Sequence, residues 1–323
     1  MSRKSIVSVA LSIMVTMVGI GLTVAPGISQ AATPHVKKGK TPAYYVSLGD
    51  SYSIGYQPTS TNPGGGTPGY TAYVAKKEKL TLENFGCGGA TTSSIITSIG
   101  CGDPASTNGV PYSTTTQEQA ALDFIAANPG EVKLVTVSIG GNDVTSCAGI
   151  SGATTSEILG CVETADTAIT TNVTSLVSSL DGALTANGDS APVIGLTYPD
   201  VILGDWVFPA GATNQSLASL STVAFDDLIN PALEAAYGGA ANFVDVTQAP
   251  YKEATAGDDT PLTDTTKVGA YFKADGLLPD AVDEVCQLTY FCTLGNIHAN
   301  DKGYKFIGSL IVAHLAATEA TAH

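Results

Sequence analysis

Apolar stretches short enough to be strands alternate along this chain with longer stretches of helical periodicity, and that alternation limits what it can fold into. Val132–Ile139 is the clearest buried strand, rich in Val, Leu and Ile. Further strand-like segments are Ala43–Leu48, Leu80–Phe85, Pro192–Thr197 and Asn242–Val246. Helices are predicted at Tyr70–Lys79, Gln117–Ala127, Ser156–Leu184, Leu217–Tyr237 (bent at Pro231) and Asp301–Thr318. Strands alternating with helices predict an α/β fold, a three-layer α/β/α sandwich with a central parallel sheet. Ligands of such sheets sit beyond the C-terminal strand ends, so functional residues are sought in the loops there. No second domain and no internal repeat is visible.

The chain opens with Met1-Ser2-Arg3-Lys4, runs apolar from Ile6 to Ala25, and meets Pro26-Gly27 and then the small residues Ser29-Gln30-Ala31-Ala32. This pattern predicts a signal peptide over residues 1–32 and a secreted mature chain, 33–323. The apolar run is long, and an uncleaved anchor is the alternative. No later segment is long and apolar enough to span a membrane. Thr33–Pro42, Lys-rich and Pro-bounded, reads as a lead-in.

Six cysteines fall as three close pairs, Cys87 with Cys101, Cys147 with Cys161, and Cys286 with Cys292. An even count in a secreted chain implies disulfides. Sequential pairing is the simplest of the 15 connectivities that six cysteines permit. No Cys/His cluster or ligand-spaced acidic loop points to a metal, and neither a metal nor a cofactor is expected.

Arg3 is the only arginine, and it lies in the signal peptide. The mature chain keeps 12 Lys against 29 acidic residues, a net charge of about −17. No basic patch can form, which excludes nucleic acid and disfavours an anionic membrane surface.

Four strand-end segments carry polar groups that can converge. The first strand ends in Gly49-Asp50-Ser51, a tight turn that can lift one hydroxyl above the sheet edge. Such a turn makes Ser51 a candidate nucleophile, although a strand end with an N-capping serine has the same letters. The second segment, Asn84–Thr91, holds Gly86, Gly88 and Gly89, whose backbone N–H groups can approach a ligand closely. The third, Ser138-Ile139-Gly140-Gly141-Asn142-Asp143, brings an Asn amide to the end of the best strand, or is simply a turn. The fourth, Gly295–Tyr304, places His298 just before the last helix, whose N-cap is Asn300 or Asp301. Serine chemistry needs a base that works near neutral pH. His35 and His323 lie near the ends of the chain and His314 sits mid-helix, which leaves His298 as the base.

Taken together in this order, the four segments resemble the SGNH hydrolase superfamily, the GDSL-type lipases and esterases, over essentially the whole mature chain. The resemblance implies a secreted, monomeric hydrolase of carboxylic esters that needs no cofactor. It implies Ser51 as nucleophile and His298 as general base, then acid. It implies the Ser51 and Gly89 N–H groups and the Asn142 side chain as an oxyanion hole, and Asp50 and Asp143 as structural supports. Two positions depart from the family pattern. Tyr52 stands where Leu is usual, at a place expected to face the interior. Gly295 stands three residues before His298, where the family usually has an acid. A backbone carbonyl can orient a histidine instead, and a carbonyl at Leu294 or Gly295 is the expected acceptor from His298 Nδ1–H. Asp275, Asp280, Asp283 or Asn296 are the alternatives.

Each expected disulfide would also brace one candidate loop. The substrate is expected to be a small-molecule or lipid ester, with Tyr56, Tyr70 and the loop Asn62–Pro68 as an acyl-chain lining. The absence of arginine from the mature chain favours a neutral ester over a phosphate head group. Polysaccharide or small-molecule deacetylation on the same fold, or a catalytically silent surface-binding module, are the other readings. Gly188-Asp189-Ser190 repeats the first motif but leads into a strand, and no Gly-x-Ser-x-Gly occurs. Asp258, Asp259 and Asp264 lie in a polar loop. The Asn172 and Asn214 glycosylation patterns fall in helical stretches.

Overall fold

Five parallel strands and their helices set the frame in this computed structural model, which describes residues 42–58, 69–101, 112–148, 152–207, 214–247, 265–267 and 277–321. These residues belong to one unit, Thr41–His323. In chain order the first elements are β1 (Tyr44–Gly49), α1 (Tyr70–Glu78), β2 (Thr81–Asn84), α2 (Ser94–Thr97), α3 (Gln117–Ala127) and β3 (Val132–Ser138). Then come α4 (Gly141–Ala148), α5 (Thr155–Ala186), β4 (Val193–Leu196), α6 (Gln215–Thr222), α7 (Asn230–Ala236) and β5 (Phe243–Val244). The C-terminal part holds β6 (Thr265–Lys267), β7 (Leu277–Pro279), α8 (Asp280–Leu288), β8 (Thr289–Tyr290), α9 (Phe291–Leu294), β9 (Asn296–Ala299) and α10 (Asp301–Thr321).

The main sheet has the order β2-β1-β3-β4-β5, and every neighbouring pair is parallel. Helix α1 packs with α10, while α3 and α7 pack with α5, so the sheet is covered on both faces. This is the three-layer α/β/α sandwich expected from the alternation of elements. Because both faces are covered, the central strands are buried almost throughout: all of β4 and every β3 residue except Lys133 are buried. The strand order reverses direction between β1 and β3, and the crevice at such a switch point is where parallel sheets bind ligands. Ser51 follows β1 and Asn142 follows β3, on the two sides of that crevice.

Local chemistry sets the helix boundaries. Thr116 caps α3 by accepting from the Gln119 N–H, and Thr154 and Glu157 form a reciprocal capping box at the start of α5. Asn300 is the residue that caps α10, its side-chain oxygen accepting from Lys302 and Gly303 N–H. The helix expected over Leu217–Tyr237 is instead three pieces: α6, a π-helical turn at Val223–Ile229, and α7. Pro231 has no N–H to continue the ladder, and Asn230 N–H bonds back five residues to Phe225. The Gly140-Gly141-Asn142-Asp143 segment is not simply a turn: helix α4 begins at Gly141, so Asn142 and Asp143 stand in its first turn.

The cysteines pair sequentially, Cys87–Cys101, Cys147–Cys161 and Cys286–Cys292. Among the described residues no helix is long and apolar enough to cross a membrane. The signal-peptide segment, residues 33–41 of the lead-in, His35, His323, Asn62–Pro68, Asp258, Asp259, Asp264 and Asp275 lie outside the described residues.

Candidate active site

The turn after β1 is built around backbone constraints. Gly49 has φ +140°, and a Cβ there would overlap the Ser138 carbonyl of the neighbouring strand. Only glycine fits where β1 must run this close to β3. The Gln117 side chain completes the strand end: its oxygen accepts from Gly49 N–H (2.6 Å) and its amide donates to Gly49 O (3.1 Å). Asp50 then turns inward and is 1 % exposed, with Oδ1 accepting from Tyr52 N–H (2.9 Å). Ser51 sits at the top of the turn, also buried.

Three strand-end segments meet at the Asn142 side chain. Its Nδ2 donates to Asp50 Oδ2 (3.3 Å) and to Ala90 O (2.9 Å). The amide therefore touches the residue before Ser51 and the residue after Gly89. Gly89 is exposed, with φ +72°, a left-handed conformation that suits glycine. Among the described residues, neither Ser51 N–H nor Gly89 N–H is donated to a protein acceptor. Both are available to a developing negative charge. Asp143 anchors the Gly89 loop, its carboxylate accepting from Thr92 N–H (2.9 Å) and Thr92 Oγ1–H (2.7 Å). Asn172, from α5, donates to the same hydroxyl (3.1 Å).

His298 reaches this turn from β9. Its ring lies 4.4 Å from that of Tyr56 and stacks at 6.0 Å on Tyr52. The Tyr52 hydroxyl donates to Ile297 O (2.5 Å), tying the Ser51 turn to the strand that carries the histidine. Tyr56 N–H in turn donates to Ser51 O (3.0 Å). Tyr304, on α10, donates to Tyr56 O (2.7 Å), and Gln57 donates to Asp301 (2.8 Å), so the start of α10 holds the same turn. Among the described residues, Ser51 Oγ is not hydrogen-bonded to His298. Catalytic contacts in a free site are often long and tighten when substrate binds.

The orientation of the imidazole differs from expectation. Its Nδ1 lies 2.8 Å from the side-chain oxygen of Asn296, not against a carbonyl at Leu294 or Gly295. Gly295 instead ends α9 with φ +61°, and its N–H turns back to Phe291 O. Asn296 then folds its side chain forward over its own strand, accepting from His298 N–H (3.0 Å) as well. A backbone N–H can only donate, so the atom facing it is the Asn oxygen. That oxygen also faces the ring, which places the proton on Nδ1 and leaves the Nε2 lone pair free. Asp283, another alternative, accepts from Gln287 on α8, and the Asp280 side chain lies outside the described residues.

Burial sets the protonation of these groups. Covered by the tyrosine rings, His298 is lowered to about 4, so the imidazole is neutral at neutral pH. Asp50 is pushed up to about 7 by its burial, against the pull of bonds from Tyr198 and Tyr52. Asp143 is raised by burial too, and its Thr92 bonds oppose the shift.

The match to known proteins spans these segments. The sequence model of the GDSL-like Lipase/Acylhydrolase family matches residues 47–306. The chain belongs to this family. No curated protein sequence matches this member of the GDSL-like Lipase/Acylhydrolase family. Among solved structures it is similar to phospholipase A1 from Streptomyces albidoflavus NA297 (20 % identity, 75 % of this chain and 95 % of that one, TM-score 0.41). It is also similar to the lipase Lip_vut3 from a goat rumen metagenome (14 %, 84 % and 97 %, 0.46). A third is a putative arylesterase from Agrobacterium tumefaciens C58 (15 %, 85 % and 99 %, 0.43).

Several residues at this GDSL-type site had no legible motif. Tyr52, expected only to face the interior, is buried and also binds Ile297 O. Tyr198, Thr92 and Asn172 gave no sequence signal for a place in this site, because their partners lie 51 to 148 residues away. Tyr70, expected in an acyl lining, is fully buried at the start of α1. Asp189 of the second Gly-Asp-Ser accepts from Val132 N–H at the opposite end of β3, far from the strand-end loops.

Proposed function

We propose that this chain is a secreted serine hydrolase of neutral carboxylic esters. Ser51 Oγ attacks the ester carbonyl carbon while His298 Nε2 takes its proton. The Ser51 and Gly89 N–H groups and the Asn142 amide stabilise the oxyanion. His298 then protonates the departing alkoxy oxygen, the carbon–oxygen bond breaks, and an acyl-enzyme on Ser51 remains. Water attacks that acyl group, giving its proton to Nε2, and Ser51 leaves with the proton restored. Asn296 keeps the imidazole in the tautomer this cycle needs, in the place of an acid.

The observation that carries the reading is the pairing of Asn296 Oδ1 with His298 Nδ1 above the Ser51 turn, which frees Nε2 as a base. Secretion is supported by the N-terminal sequence pattern and three disulfides. The test is hydrolysis of p-nitrophenyl esters from acetyl to palmitoyl by the mature chain and by Ser51→Ala. The expected result is a fall of about 10³-fold or more in kcat for the variant. The preferred chain length separates a deacetylase from a lipase. Equal activity in both proteins overturns the assignment of the nucleophile.

A further inference from the structure

Asn142 has no spare hydrogen in the free site. An amide nitrogen carries two, and here one goes to Ala90 O and the other to Asp50 Oδ2. To bind an oxyanion, the amide must release one of them, and the contact to Asp50 is the longer. Asp50 is 1 % exposed, so releasing it would strand a buried carboxyl oxygen unless another donor stays in place. Tyr198 is that donor. Its hydroxyl bonds the same Oδ2.

Tyr198 is held for this task from three sides. It lies just past the end of β4, and the buried Asn230 side chain binds its backbone N–H (3.2 Å) and C=O (3.5 Å). Its ring meets Tyr52 edge-on at 5.9 Å. The same ring covers Gly141, where any Cβ would overlap it, so α4 starts directly against Tyr198. One side chain thus spans the turn that carries Ser51 and the helix that carries Asn142.

We propose that Tyr198 is a positioning residue for ester hydrolysis, holding Asp50 through its hydroxyl while the Asn142 amide moves from Asp50 to the oxyanion. The inference rests on the hydrolase reading above. No covalent bond changes at Tyr198, and its phenol keeps its proton throughout.

The test is steady-state hydrolysis of a p-nitrophenyl ester by wild type, Tyr198→Phe, Asn142→Ala and the double variant, with a thermal melt of each. Tyr198→Phe keeps the ring over Gly141 and removes only the hydroxyl. Its kcat is expected to fall about 10- to 100-fold with KM changed less than about 3-fold, the pattern of an interaction made in the transition state. In the Asn142→Ala background the same substitution is expected to cost less than about 3-fold, because the hydroxyl acts through the amide. An unchanged kcat, an equal loss in both backgrounds, or a variant unfolded at the assay temperature overturns the inference. A wild-type chain that cleaves none of the esters overturns the hydrolase reading and this inference together. A wild type that cleaves them beside an equally active Tyr198→Phe overturns this inference alone.

Discussion

His298 Nδ1 and Asn296 Oδ1 lie 2.8 Å apart, although the two residues share one four-residue strand. In an extended strand, side chains two apart point to the same face. Asn296 uses that geometry to meet both the ring and the backbone N–H of His298. A neutral amide oxygen orients the imidazole without adding charge, which fits a ring buried enough to titrate at about 4.

Replacing this partner gives a prediction with a direction. Asn296→Ala is expected to lower kcat/KM about 10- to 100-fold, since the ring loses its tautomer and its aim. Asn296→Asp keeps an acceptor but adds a negative charge, which favours the imidazolium. The acidic limb of kcat/KM that belongs to His298 is expected to move up by a pH unit or more from about 4. A pH–rate profile of both variants checks this, and an unmoved limb in Asn296→Asp contradicts it.

Stability is expected to fall as pH rises. Burial raises Asp50 to about 7, Asp200 to about 8 and Asp226 to about 6, all from 3.8. Between about pH 4 and 8 the native chain therefore binds protons that the unfolded chain has lost, and folding weakens with increasing pH. His298 acts oppositely. Lowered from 6.5 to about 4, it costs stability as pH falls through that window. Three acids outweigh one histidine, and the net charge of −15 adds repulsion at higher pH. Thermal melts are expected to give a Tm several degrees higher at pH 5 than at pH 8.5.

Asp143 is expected to matter through the loop it anchors. Asp143→Ala leaves the buried Thr92 N–H and hydroxyl without their acceptor, at a cost of about 1–3 kcal/mol. Because Thr92 stands three residues after Gly89, kcat is expected to fall as well. Chemical denaturation and steady-state kinetics on one preparation separate the two effects. A variant with wild-type stability and kcat would show the anchor to be dispensable.

The shortest disulfide is expected to serve activity more than stability. Cys286–Cys292 closes a separation of six residues, against 14 for Cys147–Cys161. The entropy model gives about 2 kcal/mol for the shorter loop and about 3 kcal/mol for the longer. Cys286 and Cys292 hold α8 against α9, directly before the β9 strand that carries His298. The Cys286→Ser/Cys292→Ser variant is therefore expected to lose more kcat and less Tm than Cys147→Ser/Cys161→Ser. Reversal of that order in paired melts and assays contradicts the reading.

Local chemistry along the chain sufficed for the frame. Runs such as Val132–Ser138 carry apolar residues on both faces because helices cover both sides of the sheet, and that pattern announces a parallel arrangement. The close cysteine pairs and the four strand-end segments were legible for the same reason, since each depends on neighbours in sequence. The sequence also carried Asn296 as one of several partners for His298, but could not choose among them. That choice depended on Gly295 turning its backbone back into α9, which left the Asn side chain to face the ring. Tyr198 and the hydrogen bond of Tyr52 were beyond sequence reasoning. Their hydroxyls meet Asp50 and Ile297 across 148 and 245 residues, and a buried hydroxyl declares its role only through the acceptor that the packed sheet brings to it.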